Sequence, residues 1–333
     1  MKASMIQTGS VILFLSIMPI CIGWLFWCLM LPTLWPLVLA YLAWAWYDWG
    51  TPEEGGRGPV AVSCFRRVTA PWFRSLAAYF PTRLHVPASF PFSGDPEIRS
   101  AGQRYIFSFH PHGFVTLSLF ASLLSDGCGI SRHLTGAHEP WPLRAVTLST
   151  NFFIPFWRDW VLLLGLASVS AHSIGRILAS GRSVLIVPGG ARESLDCGSE
   201  GVTRVVLKTR RGFIRVAMRS GVDGLIPVYA FGEDSLYRQL PNPQGSALRR
   251  VQDWVLARTG VAMPIILNSI FAFLPDRKPL DVVVGDPISV PHDPHPSEEL
   301  VSRVHEQYKV ALLKLFDDNK TRFGFPHHRL EFV

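Results

Sequence analysis

Tyr105-Ile106-Phe107-Ser108-Phe109-His110-Pro111-His112-Gly113 closes one apolar run and opens another. Tyr105 to Phe109 reads as a short buried strand, and Val115 to Leu124 as an apolar helix or strand. Pro111 and Gly113 punctuate the junction. Pro111 fixes its own φ and biases His110 toward extended geometry, so the two imidazoles have little freedom. A strand end is where layered α/β enzymes hold reactive side chains, and histidine is the commonest general base.

Ser183 to Val187 is a second buried strand, closed by Pro188-Gly189-Gly190. Leu225 to Tyr229 and Leu280 to Val284 are further strands. Gly212 to Ser220 and Ser297 to Asn319 have helical patterns; in the latter Leu300, Val304, Tyr308, Leu312, Leu315 and Phe316 recur at near-helical spacing. Strands alternating with helices give an α/β layered fold from about Gly102 onward.

The chain has 333 residues, 48% hydrophobic and only 17% charged, with 11 tryptophans and 22 phenylalanines. Such an aromatic surplus suits a membrane–water interface. The net charge of +7 suits an anionic membrane surface or a polyanionic ligand such as a nucleotide-bearing thioester. Nucleic acid is the poorer reading, because the basic residues are scattered and no nucleic-acid-binding motif accompanies them. Cys21, Cys28, Cys64, Cys128 and Cys197 are odd in number and lack CxxC spacing, which argues against a disulfide framework and against a zinc site.

Val11 to Met30 is uncharged and apolar. Its roughly 20 residues, at about 1.5 Å each, span the roughly 30 Å of a bilayer core. Pro32 and Pro36 break the run, and Leu37 to Trp46 follows as a shorter apolar stretch, so residues 1–50 are expected to form a membrane hairpin. Trp44, Trp46, Tyr47 and Trp49 resemble an aromatic belt. Arg57, Arg66, Arg67, Arg74 and Arg83 then place residues 51–333 on the cytosolic side by the positive-inside rule. Phe152 to Leu166 and Val261 to Leu274 add two apolar stretches, core segments when taken singly. Together with the N-terminal anchor they suggest a face that lies on, or opens into, the bilayer.

A second chemical motif follows the Ser183–Val187 strand: Pro188-Gly189-Gly190-Ala191-Arg192-Glu193. Glycines at a strand end expose N–H donors for an oxyanion or a phosphate. Arg192 and Glu193 add a cation and a carboxylate, and a Glu near two histidines can orient an imidazole.

These blocks resemble the diacylglycerol acyltransferase type 2 family, which includes monoacylglycerol and wax-alcohol acyltransferases. The resemblance rests on His110-Pro111-His112-Gly113, on Pro188 to Glu193, and on Arg211-Gly212-Phe213 through Pro227-Val228-Tyr229-Ala230-Phe231-Gly232-Glu233. Tyr47 to Pro52, Val284 to Ile288, and Leu315 to Gly324 extend it over nearly the whole chain. It implies a glycerol-phosphate-acyltransferase-like layered α/β domain at the endoplasmic reticulum membrane or on lipid droplets. The implied reaction moves a fatty acyl group from acyl-CoA to a neutral glycerolipid hydroxyl, with no cofactor and no metal. The wider superfamily places an aspartate five residues after its histidine; here Val115 and Leu117 stand at those positions, so Glu193 is the expected partner carboxylate. The superfamily pattern favours His110 over His112 as the base. Gly113, Pro188, Gly189, Gly190, Arg192 and Arg211 are the expected substrate-binding residues, with Lys208 and Arg210 further candidates for the CoA phosphates. The acceptor that the resemblance implies is diacylglycerol, giving triacylglycerol, with monoacylglycerol or a long-chain (wax) alcohol as the alternative. Homo-oligomerisation is compatible with the sequence, and a non-catalytic lipid-droplet protein is the rival from another class.

Overall fold

The computed structural model describes residues 4–88, 103–130, 143–197, 201–267 and 274–333. Its elements run α1 (Met5–Met30), α2 (Trp35–Tyr47), α3 (Pro59–Tyr79), β1 (Arg83–His85), β2 (Tyr105–His110), α4 (Leu117–Ala121), β3 (Leu143–Thr147), α5 (Trp157–Leu163) and β4 (Leu166–Ser168). They continue with α6 (Ala171–Ala179), β5 (Ser183–Ile186), β6 (Val202–Val205), α7 (Gly212–Ser220), β7 (Gly224–Phe231), α8 (Ala247–Thr259), β8 (Asp281–Val284), α9 (Glu298–Lys320) and β9 (Arg329–Phe332).

Seven strands form one sheet in the order β1-β8-β7-β2-β5-β3-β4. β2 lies at its centre and pairs in parallel with both β5 and β7, while β7 meets β8 antiparallel. A central parallel strand is covered on both faces, which is why all six residues of β2 are buried and mostly apolar. Its period-2 alternation sends Tyr105, Phe107 and Phe109 into one core with α3, α4 and α5. Ile106 faces the other core, built on α6, α7 and α9. Ser108 and His110 share that second face. Two polar groups are therefore turned toward α9 from an otherwise apolar strand.

The long α9 forms where its caps say it should. Ser297 accepts the Leu300 N–H, Glu298 and Glu299 occupy the first turn, and Lys320 the last. The Val115–Leu124 run becomes only the short α4. Phe152 to Leu166 turns inward: Phe152, Val161, Leu162, Leu164 and Leu166 are all buried in the α3 core, and Phe153 is the large side chain left exposed. This corrects the membrane-facing reading of that stretch. Of Val261 to Leu274, positions 268–273 lie outside the described residues.

Among the described residues α1 is the one helix long and apolar enough to cross a membrane. Its first third is docked on the globular body: Val11 is buried, Phe14 packs edge-on against Phe73 and Phe120, and Trp72 donates to the Ser10 carbonyl at 3.0 Å. Two charged residues inside the apolar α5 explain themselves here. Arg158, with a side chain 2% exposed, binds Asp48 just beyond α2 through its carboxylate (3.0 Å) and its carbonyl (3.0 Å). Asp159 accepts from the Tyr41 hydroxyl of α2 at 2.6 Å. Arg57 completes the cluster on Asp48 at 2.5 Å. Arg66 is also structural: it is buried, and its Nε and Nη2 both donate to the Leu164 carbonyl.

Removing the Asp48 carboxylate leaves the buried Arg158 guanidinium with the main-chain carbonyl and Asp159 at 3.4 Å, the costly way to break such a pair. Asp48→Ala should lower stability by about 3 kcal/mol, read as an earlier thermal transition in detergent. An unchanged transition would mean the α2–α5 cluster is incidental.

Candidate active site

The residues singled out from the sequence converge at the C-terminal ends of the parallel strands β2, β5 and β7, the edge where open α/β sheets bind ligands. β2 delivers His110 to Gly113, the turn after β5 delivers Pro188 to Glu193, and the end of β7 delivers Glu233.

His110 is fully buried, and its Nε2 lies 2.9 Å from the Tyr308 hydroxyl of α9. Tyr308 in turn donates to the Ser108 carbonyl at 3.4 Å. The Nδ1 atom of His110 has no partner among the described residues. An orphaned N–H would cost more than an orphaned lone pair, so the proton belongs on Nε2, donating to Tyr308. Burial pulls the His110 pKa down to about 3, so the ring is neutral.

His112 is only half-buried. Its Nδ1 lies 3.0 Å from the Gly113 carbonyl, which can only accept. Nδ1 therefore carries the proton and Nε2 is left as a bare acceptor. Burial lowers the His112 pKa and the Gly113 contact acts in the opposite direction.

Glu193 is 2% exposed and does reach the histidine loop, but not the imidazoles. One oxygen accepts the His112 backbone N–H at 2.7 Å and the other the Val206 N–H at 2.8 Å. The carboxyl thus fixes the main chain beneath the ring rather than the ring itself. Gly189 makes this possible: a Cβ there would sit 1.7 Å from Glu193 Oε1. The neighbouring Gly190 serves the turn, at φ +62°, and spends its N–H on the Val187 carbonyl at 3.1 Å. Gly190 is thus not the free donor that the glycine pair suggests.

A second carboxyl repeats the arrangement. Glu233, 1% exposed, accepts the Leu117 N–H at 3.0 Å and the Ser118 N–H at 2.8 Å, and also bonds the Ser118 hydroxyl. It caps the N-terminus of α4, where amides otherwise lack partners. A Cβ on Gly113 would lie 2.5 Å from Glu233 Cγ, so the glycine, at φ +59°, makes room for it. Glu233 and Tyr308 were visible in the sequence only as part of a block and as a core position of a helix.

Pro188 is half-buried at the start of the turn. Arg192 is exposed, as are Lys208 and Arg210 on the loop after β6 that also supplies Val206. Arg211 is half-buried and donates to Ser302 on α9 at 3.1 Å, so it ties that loop to the helix.

These blocks fall inside a family match. The family model described as diacylglycerol acyltransferase matches residues 27–332. The chain belongs to that family. Diacylglycerol O-acyltransferase 2B of Umbelopsis ramanniana is 36% identical over 95% of this chain and 87% of its own. 2-acylglycerol O-acyltransferase 1 of Mus musculus is 33% identical over 98% of this chain and 95% of its own. Among solved structures, the LPA acyltransferase PlsC of Thermotoga maritima superposes with a TM-score of 0.41 at 13% identity, covering 76% of this chain and 78% of that one.

Two expectations follow for this family member. Burial pushes Glu193 up to about 8 against the pull of its two amide partners, and pushes Glu233 and Asp234 to about 7. A carboxyl whose folded pKa is raised contributes stability below its unfolded value that is lost as pH rises through the folded one. The depressed histidines work the other way, and their contribution is complete above 6.5. The melting temperature should therefore fall between pH 6.5 and 8, less steeply in Glu193→Gln; a flat or rising curve would contradict the buried carboxyls. Second, Gly189→Ala should expel Glu193. Its loss of acyl transfer in membranes should match that of Glu193→Ala, and the double variant should be no worse than either. Additive losses would mean that the two residues act separately.

Proposed function

We propose that this protein is a membrane acyl-CoA:diacylglycerol O-acyltransferase that makes triacylglycerol by direct transfer, with His112 as general base. The observation that carries the reading is the His112 ring. Its Nδ1–H is committed to the Gly113 carbonyl, and its Nε2 has no partner among the described residues, on a half-buried loop at the sheet's C-terminal edge. Membership of the family supplies the reaction class.

Nε2 takes the proton of the acceptor hydroxyl as its oxygen attacks the thioester carbonyl. The Gly113 N–H, which donates to no acceptor among the described residues, faces the developing oxyanion. Collapse breaks the C–S bond, the ester leaves as product, and the imidazolium returns its proton to the CoA thiolate. No cofactor enters this sequence. His110 is the weaker candidate for the base despite its place in the superfamily pattern, because it is enclosed and its Nε2 is engaged by Tyr308. Its part is to brace the loop together with Glu193. Arg192, Lys208 and Arg210 form the cationic margin for the CoA phosphates.

Diacylglycerol is the preferred acceptor because relatives of that name recur among the matches. Monoacylglycerol is the second reading, favoured by the mouse relative that covers almost the whole chain. The apolar α1 supports membrane association, and the reading extends to the endoplasmic reticulum and lipid droplets with the catalytic body toward the cytosol.

Membranes carrying the protein, given labelled acyl-CoA and diacylglycerol, should form triacylglycerol. His112→Ala should lower kcat by about 10²–10⁴. His110→Ala should retain more activity than that and lose stability instead. The wild-type rate should rise with pH to a plateau, with its midpoint below 6.5, the direction in which the His112 pKa is moved. No ester from diacylglycerol, monoacylglycerol or a fatty alcohol overturns the enzyme reading, and full activity in His112→Ala overturns the base.

A further inference from the structure

Helix α8 is built inside out. Its two fully buried side chains are polar: Arg249 is 3% exposed and Gln252 2%, with Leu248, Val255 and Leu256 half-buried beside them. Arg249 pairs with Asp196 at 2.6 Å, in the turn that carries Glu193. Gln252 donates to the Met263 carbonyl at 3.0 Å and accepts from Asn242 at 2.7 Å. Its outward side chains include Val251, 61% exposed, and Trp254, 60% exposed. In water this arrangement has the wrong sign, because the apolar stripe of a surface helix faces the protein.

The chain that follows α8 continues the pattern. Residues 261–267 run extended, with Leu240 N–H donating to the Ile265 carbonyl at 2.8 Å and Leu267 N–H to the Arg238 carbonyl at 2.7 Å. Alternation exposes Val261, Met263, Ile265 and Leu267, so every outward side chain of this segment is apolar. The Gln252 contact to Met263 joins helix and segment into one surface.

Two observations say what covers it. The first is continuity: Ile266, on the inward side of the same segment, packs against the cluster that holds Val11 of α1, with Phe14 and Leu15 on its margin. The apolar surface thus adjoins the docked end of the helix that could cross a membrane. The second is charge. Arg250 and Arg258 are exposed on α8, and Arg258 lies over the Trp254 ring at 5.6 Å. A tryptophan at the edge of an apolar face, flanked by arginines, suits the boundary between acyl chains and anionic headgroups.

We infer that α8 and residues 261–267 form a second membrane-contact surface, lying in the plane of the headgroup boundary beside the N-terminal helices. It does not depend on the chemistry assigned to His112. It lies next to the turn of Glu193, so the site faces the phase that holds a neutral glycerolipid.

The test places the photocrosslinker p-benzoylphenylalanine singly at 251, 254 and 263 of the full chain. The protein is held in nanodiscs of phosphatidylcholine with phosphatidylserine. Val310, 67% exposed on α9 across the sheet from α3, is the labelled control. Lipid adducts at 263 and at either α8 position, several-fold above those at 310, are expected. Labelling both 251 and 254 guards against loss of the Trp254–Arg258 contact. Crosslinks to a second copy of the chain in place of lipid would overturn the inference in favour of self-association. Adduct yields no higher than at 310 would overturn it outright.

Discussion

Two buried carboxyl groups hold the loop of the two histidines, and the geometry of the site depends on them. Glu193 grips the His112 amide and the Val206 amide at once, so it joins the ends of β2 and β6. Glu233 takes the first amides of α4, which carry the same loop onward. Neither carboxyl touches an imidazole. Each satisfies main-chain donors that would otherwise be stranded at strand and helix ends, where an unpaired buried group is expensive. The rings are then aimed by the backbone: His112 by its own neighbour's carbonyl, His110 by a strand face that turns it toward Tyr308.

Much of the sheet was legible because its central strands are apolar runs ended by glycine and proline. Ser183–Val187 and Leu225–Tyr229 fall within a residue or two of β5 and β7, and Gly212 to Ser220 is α7. The strands β1 (Arg83-Leu84-His85), β3 (Leu143 to Thr147, with Arg144 inside it) and β4 (Leu166-Ala167-Ser168) were not legible, since they lack the unbroken branched apolar run that marks the equally short β5 and β8. Helix α8 was hidden for a different reason. Its pattern is inverted, and a search for an apolar inward stripe passes over a helix whose fully buried residues are Arg249 and Gln252.

The site was legible as a set of residues and illegible as a set of contacts. Glu193 does reach the histidine loop, at the His112 amide, across a sequence separation that no local pattern reports. That Glu193 would bond an amide depends on where β6 brings Val206. The Tyr308 contact depends on how α9 lies over β2. The charges within Phe152–Leu166 were legible only as interruptions, because their partners, Asp48 for Arg158 and Tyr41 for Asp159, lie far back in the chain and are brought near by the fold.

Gly189 and Glu193 share one volume, and so do Gly113 and Glu233. A side chain on either glycine needs the space that a carboxyl already fills. Such pairs cannot drift independently: each glycine is closed to substitution for as long as its glutamate stays folded inward. In evolutionary terms the site carries two epistatic locks. Engineering that alters one member has to redesign the other in the same step.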